Sequence, residues 1–423
     1  MAVPARIHPR FPLVDSMRGL AALSIVVFHG AGLFGHAMGP QASASPYVAR
    51  LEVGVSVFFL ISAFLLYRPF VAARDAGEDG PSTGPYAWRR LVRIVPAYWV
   101  ALTVVVVWMN VDGVFTARGI PTYYGFAQIY SASTIEHGML QAWTLCVELS
   151  FYAFLPLWAW AMRRLARGDD RETWLRRELL ALVALAAASV AYKVIVLWGA
   201  HDDTVPAVDP LLSSLPGYLD QFAIGMALAV LSVRGLSTGT GARAVAAVRR
   251  RPGLLWAGAL VVLVVVANVG PLSGNPTPPY TRVAFLERDA VYAIVALLLF
   301  LPAVTAAPAG ERTVTRRFLA LPALLWVGAV SYGIYLYHLL VLTKLNEWGY
   351  GDLIHGSAIA WALAGIAGSI VLGAASYYLI ERPLIRSSHR GRRPPGPAGL
   401  GETGPLDSAR EVAAARPAAG PTP

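Results

Sequence analysis

Asp15-Ser16-Met17-Arg18-Gly19-Leu20-Ala21-Ala22-Leu23-Ser24-Ile25-Val26-Val27-Phe28-His29 begins the stretch whose reading decides the fold. The apolar run from Met17 to Phe34 is too long for a signal-peptide core, and no small-residue cleavage site follows it. It reads as a spanning helix. Crossing a bilayer takes about 20 mostly apolar residues. Ten segments roughly qualify, at about 18–36, 53–72, 94–111, 142–162, 179–198, 211–232, 254–271, 289–306, 322–343 and 357–380. Composition agrees: 56% of the 423 residues are hydrophobic and 14% charged, against about 25% charged in a soluble domain. Water is not the solvent for most of this chain.

Short cytoplasmic loops collect Lys and Arg. Alternate gaps hold Arg6 and Arg10; Arg68, Arg74, Arg89, Arg90 and Arg93; Arg163 to Arg177; Arg234 to Arg251; Arg312, Arg316 and Arg317; and Arg382 to Arg393. The opposite gaps hold only Arg50, Arg118, Arg282, Arg288 and Lys344. One missed or invented helix would scramble this asymmetry. The expected fold is therefore an all-α, polytopic bundle of about ten transmembrane helices with both termini cytoplasmic. Residues 1–385 form the membrane domain, and residues 386–423, rich in Pro, Gly, Ala and Arg, are expected to be disordered. The net charge of +10 is spread over loops and forms no stripe, so no nucleic-acid partner is expected. The single cysteine, Cys146, excludes a disulfide framework or a cluster of Cys metal ligands.

Charged groups inside a bilayer cost roughly 2.5–3.5 kcal/mol each on insertion scales, so each invites a functional reading. His29 follows Arg18 by eleven residues, close to three turns or about 16 Å along one helix face. Arg18 can snorkel to lipid phosphates, and His29 can bond to a neighbouring helix. Equally, a neutral imidazole near the midplane suits a general base acting on a hydroxyl. Glu148 lies about two turns from the outer end of the fourth segment, with Tyr152 one turn further along the same face. It either pairs with a basic or phenolic group, or orients a histidine or binds the acceptor. Tyr335 and His338 share a face of the ninth segment, nearer the outside. An aromatic belt explains the tyrosines but not the histidine. Glu381 ends the last segment at the cytoplasmic rim, where arginines are near enough to pair with it. Lys193 and Asp220 are intramembrane charges without a motif. Arg90 and Arg93 share a face if the third helix starts early enough. Guanidinium groups there suit a polyanionic ligand's phosphates or anionic lipid headgroups.

These segments together resemble the acyltransferase family 3 of integral membrane proteins, over about Phe11 to Pro383. The resemblance rests on Asp15-Ser16-Met17-Arg18-Gly19-Leu20 leading to His29, on Gly54 to Leu66, and on Arg89-Arg90 through Arg93-Ile94-Val95-Pro96. Trp143-Thr144-Leu145 with Glu148 and Phe151-Tyr152, Phe222-Ala223-Ile224-Gly225, Ser331-Tyr332 with Tyr335 and His338, and Glu381 with Pro383 complete the order. Two positions depart: Ala63 stands where the family usually has Gly, and Thr144 where Ser is common.

The resemblance implies an O-acyltransferase of the plasma membrane, fed with acyl-CoA from the cytoplasm as co-substrate and acting on a carbohydrate-containing acceptor. Neither a bound cofactor nor a metal is implied. Arg18, His29 and Glu148 take catalytic positions. Arg18, Arg90, Arg93 and Ser62 fall on the donor side, while Trp143, Tyr152, Tyr335, His338 and Glu381 are expected to meet the acceptor or support the residues that do. Counting along the helices puts Arg18 at the inner rim, His29 near the middle, and Glu148 and His338 toward the outside. The rival class is a transporter or exporter, because intramembrane His, Glu and Lys also build proton relays.

Overall fold

The computed structural model describes residues 11–38, 45–199, 203–234, 239–274, 277–305 and 313–390. All ten apolar segments are helical within them: α1 (Pro12–Val27, continuing as a π-helix Phe28–Phe34), α2 (Gly54–Asp75), α3 (Thr83–Trp108), α4 (Trp143–Leu165) and α5 (Arg171–Gly199). They continue with α6 (Leu215–Arg234), α7 (Pro252–Asn268), α8 (Arg282–Val304), α9 (Pro322–Glu347) and α10 (Ala358–Ser376). Eight are long and apolar enough to cross a membrane. The other two are α7, of 17 residues, and α8, whose first turns carry Arg282, Glu287, Arg288 and Asp289. The chain is thus an all-α membrane protein. The extended pairing among the described residues is one antiparallel pair, β1 (Thr204–Val205) with β2 (Tyr280–Thr281).

Local chemistry sets the helix starts. Proline stands in the first turn of α1, α7 and α9, where its missing N–H has no intrahelical partner to lose. Thr281 and Ser357 accept from Ala284 N and Ala360 N to cap α8 and α10. Asp170 does the same for α5, taking Thr173 N at 2.8 Å, and that bond holds its carboxyl below the usual range. The third helix starts eleven residues before its apolar stretch, at Thr83 rather than residue 94, so Arg90 and Arg93 do lie one turn apart. Beyond α10 the chain makes a second π-turn, Tyr377–Glu381, and a helix Arg382–Arg390. The rest of the tail expected to be disordered lies outside the described residues.

The arginine-bearing loops meet at one end of the bundle. Arg171 grips Asp75 with two bonds of 2.6 and 2.8 Å, Arg68 reaches Ser232 at 3.1 Å, and Arg163 reaches Asp79 at 2.6 Å. Ser16 donates to the carbonyl of Leu319 at 2.5 Å, bringing the starts of α1 and α9 to that same end. At the opposite end Arg288 meets Glu52 at 3.4 Å, and β1 pairs with β2. Large apolar side chains such as Leu157, Ile195, Leu260 and Leu379 are exposed on the outward faces, as lipid contact allows.

Helices touch backbone to backbone where glycine removes the side chain, the usual way for helices to approach closely in lipid. A methyl carbon on Gly328 of α9 would lie 1.9 Å from the Asp15 carbonyl oxygen of α1, and one on Gly19 would lie 2.9 Å from Gly328 N. Gly225 of α6 meets the Leu60 carbonyl and Ala63 of α2 in the same way. Alanine at position 63 is therefore a contact residue whose small size the crossing requires.

Residues 139–142, at the end of a largely exposed loop, dip into the bundle at the opposite end. Gln141 donates to the Leu336 carbonyl at 2.7 Å, and Tyr335 OH donates back to the Gln141 carbonyl at 2.9 Å. Tyr98 anchors that loop by donating to the Tyr123 carbonyl at 2.8 Å. Helix α4 therefore begins beside the middle of α9, roughly 20 Å along that helix at 1.5 Å per residue.

Candidate active site

Five helices build one cavity. Arg18 comes from α1; Phe58, Phe59, Ser62, Leu65 and Leu66 from α2; Arg90, Arg93 and Ile94 from α3; Thr144, Leu145, Glu148 and Tyr152 from α4; and Ser331, Tyr332 and Tyr335 from α9. Three guanidinium groups thus share a hollow with one carboxylate, three phenols and an apolar wall. Arg18 keeps a loose ion pair with Asp15 at 3.6 Å, and Arg93 lines the same hollow. Tyr332 leaves the cavity wall to donate to the Ile94 carbonyl at 2.9 Å, locking α9 to α3.

Glu148 is held through one oxygen. Tyr152 OH donates to Oε1 at 2.6 Å, and Ser62 Oγ donates to the same atom. Its Oε2 has no protein donor among the described residues. Such a carboxylate is positioned yet able to accept a further proton or hydroxyl. Residue counting puts Glu148 outward of His29, whereas it shares the cavity with Arg18. The reason is the dip of residues 139–142, which starts α4 deep in the bundle.

His29 and His338 stand behind Tyr335. His338 Nε2 lies 3.2 Å from His29 Nδ1, with the rings 4.9 Å apart, and the His338 ring is 5.6 Å from that of Tyr335. Tyr335 OH also bonds Thr144 Oγ1 at 2.7 Å. His29 falls at the junction where α1 widens from α to π geometry, a distortion frequent at functional sites.

Residues 12–378 match the family described as acyltransferase domain. The chain belongs to the acyltransferase 3 family. It is an acyltransferase, and a curated relative of similar length is named as one. It is 26% identical to acyltransferase MdmB of Streptomyces mycarofaciens, over 91% of this chain and 94% of the relative. It is 26% identical to nodulation protein 10 of Rhizobium leguminosarum bv. viciae, over 79% and 82%. Against exopolysaccharide production protein ExoZ of Rhizobium meliloti it is 27% identical, over 82% and 93%. No solved structure matches the chain.

In this acyltransferase 3 protein, four of the residues expected at the site lie outside the cavity wall. Trp143 packs its ring 5.5 Å from Tyr218. Glu381 sits in the second π-turn, buried, with its carboxylate accepting from Ser376 Oγ at 3.2 Å and no arginine in salt-bridge range among the described residues. His29 and His338 are the other two, paired behind Tyr335. Sequence reasoning missed two buried ionic clusters elsewhere. Glu178 accepts from Tyr67 and Arg74 at the arginine-rich end. Lys193 of α5 bonds both Asp220 of α6, at 2.7 Å, and Asp289 of α8; Ser189 and Gln221 donate to the two aspartates at 3.1 Å each. Lys193 and Asp220 are visible as intramembrane charges, but Asp289 stands at the very edge of its apolar segment and reads as a boundary residue.

Proposed function

We propose that this acyltransferase moves an acetyl or other short acyl group from cytoplasmic acyl-CoA to a hydroxyl of a carbohydrate-containing acceptor at the plasma membrane. The observation that carries the reading is the convergence of Arg18, Arg90 and Arg93 on one cavity that runs to Glu148 and to Tyr335, the neighbour of the His29–His338 pair. In this reading the donor's phosphates meet the guanidinium groups and its acyl arm lies along Leu65, Phe58 and Leu145. His29 takes the acceptor hydroxyl's proton as the oxygen attacks the thioester carbonyl. A C–O bond forms, the C–S bond breaks, and the proton ends on the departing CoA sulfur. Glu148 accepts a hydrogen bond from the acceptor through Oε2.

Ten membrane crossings with cytoplasmic termini are part of the proposal, supported by the arginine asymmetry and by the meeting of those loops at one end of the bundle. A carbohydrate acceptor is supported by the relative named for exopolysaccharide production. Membership of an acyltransferase family favours this reading over transport. The test is complementation of a deletion strain, with mass spectrometry of envelope glycans, lipids and secreted products. Wild-type protein restores an acylated product, and His29→Ala, inserted at equal level, does not. Full restoration by His29→Ala removes the mechanism. Sealed right-side-out vesicles locate the donor: product made from external acetyl-CoA alone would overturn a cytoplasmic donor site.

A further inference from the structure

We infer that His338 is a positioning residue that sets the tautomer of His29 and leaves Nε2 of His29 as the basic nitrogen. The inference rests on the reading of His29 as base and names the atom that performs the step. Three contacts decide it. His338 Nδ1 lies 2.7 Å from the Tyr335 carbonyl oxygen, His338 Nε2 lies 3.2 Å from His29 Nδ1, and His29 Nδ1 lies 3.0 Å from the Ile25 carbonyl oxygen.

A carbonyl oxygen only accepts, so His338 must carry its proton on Nδ1 to bond Tyr335, and a neutral imidazole then offers a lone pair at Nε2. His29 Nδ1 faces that lone pair and the Ile25 carbonyl together. Two acceptors converging on one nitrogen require that nitrogen to hold the proton, shared between them. The alternative, a proton on His338 Nε2 directed at His29 Nδ1, would set two lone pairs against each other at Ile25. The chain therefore runs from His29 Nδ1–H to His338 Nε2, and from His338 Nδ1–H to the Tyr335 carbonyl. His29 Nε2 has neither a proton nor a protein partner among the described residues.

The frame holds this register. Gly19 and Gly328 each stand ten residues before the paired histidines, at the close crossing of α1 and α9. A base whose ring is oriented by a further group is the logic of oriented imidazoles in general, here with a second imidazole anchored to backbone in place of a carboxylate.

The experiment uses the full chain in lipid bilayers, labelled with 15N-histidine and read by solid-state NMR, the His29 signals being those lost in His29→Ala. Wild type is expected to show a protonated Nδ1 and an unprotonated Nε2. His338→Gln, whose amide oxygen can reach the place of Nε2, keeps that pattern and most of the activity. His338→Asn and His338→Leu release His29 into mixed tautomers and lower kcat about 10- to 100-fold, with acetyl-CoA binding by calorimetry unchanged. A protonated Nε2 on His29 in wild type, or an unaltered His29 spectrum in His338→Leu, overturns the inference. Wild-type transfer by His29→Ala would instead sink the base reading, while leaving the tautomer measurement standing.

Discussion

Substituting Gly328 by alanine tests whether the crossing of α1 and α9 governs the site. The new methyl carbon would lie 1.9 Å from the Asp15 carbonyl oxygen and 2.4 Å from its carbon, where real contacts are essentially never under 3.0 Å. Both atoms are backbone, so no side chain can turn away and the helices must part by at least about 1.1 Å. Carried along the two helices, that displacement takes the His29–His338 separation from 3.2 Å to about 4 Å, past hydrogen-bond reach. Arg18, beside the crossing, shifts with it. Overpacking of this kind costs about 1–3 kcal/mol, and a misplacement of about 1 Å at a reacting group costs about a hundredfold in rate. Stability can be followed with a thiol-reactive fluorophore, because Cys146 is the only cysteine and is buried until the protein unfolds. The paired control is Gly258→Ala on α7, where a methyl meets nothing within 4 Å and alanine is expected to be neutral or stabilising. Gly328→Ala with wild-type unfolding temperature and wild-type product yield would refute the reasoning.

Tyr152→Phe and Ser62→Ala each remove a donor to Glu148 Oε1; hydrogen bonds to charged groups contribute about 1.5–3 kcal/mol, so each lowers product formation about 10- to 100-fold in the complementation assay. Arg93→Ala raises the acetyl-CoA concentration needed for half-maximal transfer about tenfold, while Arg93→Lys recovers only part, since a lysine lacks the bidentate fork; equal half-saturation in all three would place the donor elsewhere. Lys193→Met leaves Asp220 and Asp289 facing one another without their cation and destabilises the protein by about 3–5 kcal/mol, seen as early thiol labelling. Adding Asp220→Asn and Asp289→Asn to it restores most of the loss; no restoration would show that the cluster is not a charge pairing.

The helices were legible because a bilayer leaves the backbone few choices: every apolar stretch of the right length must satisfy its own hydrogen bonds. Their ends were less so. Helix α3 starts at Thr83, well before its apolar part, because the arginines that look like loop residues still favour helix and line the cavity. Arg18, Arg90, Arg93 and Glu148 could be named from their motifs, and they do converge. What one sequence cannot carry is the partner across the bundle. Ser62 and Glu148 are 86 residues apart, and His29 and His338 are 309 apart. Neither spacing has a period to read. Residue counting misplaces the depth of Glu148 for a related reason, since it assumes helices that start at the surface, and residues 139–142 lead into the bundle.

The Lys193 cluster bears on how the chain enters the membrane. A buried ammonium group in α5 needs a counterion, and its first, Asp220, follows only 27 residues later on the neighbouring helix. Helices α5 and α6 can therefore leave the insertion machinery as a hairpin with this buried charge paired. Asp289 comes 96 residues after Lys193, roughly 5–20 s of synthesis. It belongs to α8, the helix whose charged start makes it poorly suited to lipid by itself. The assembled hairpin, already holding a lysine with a second face to offer, is the surface against which this helix can settle.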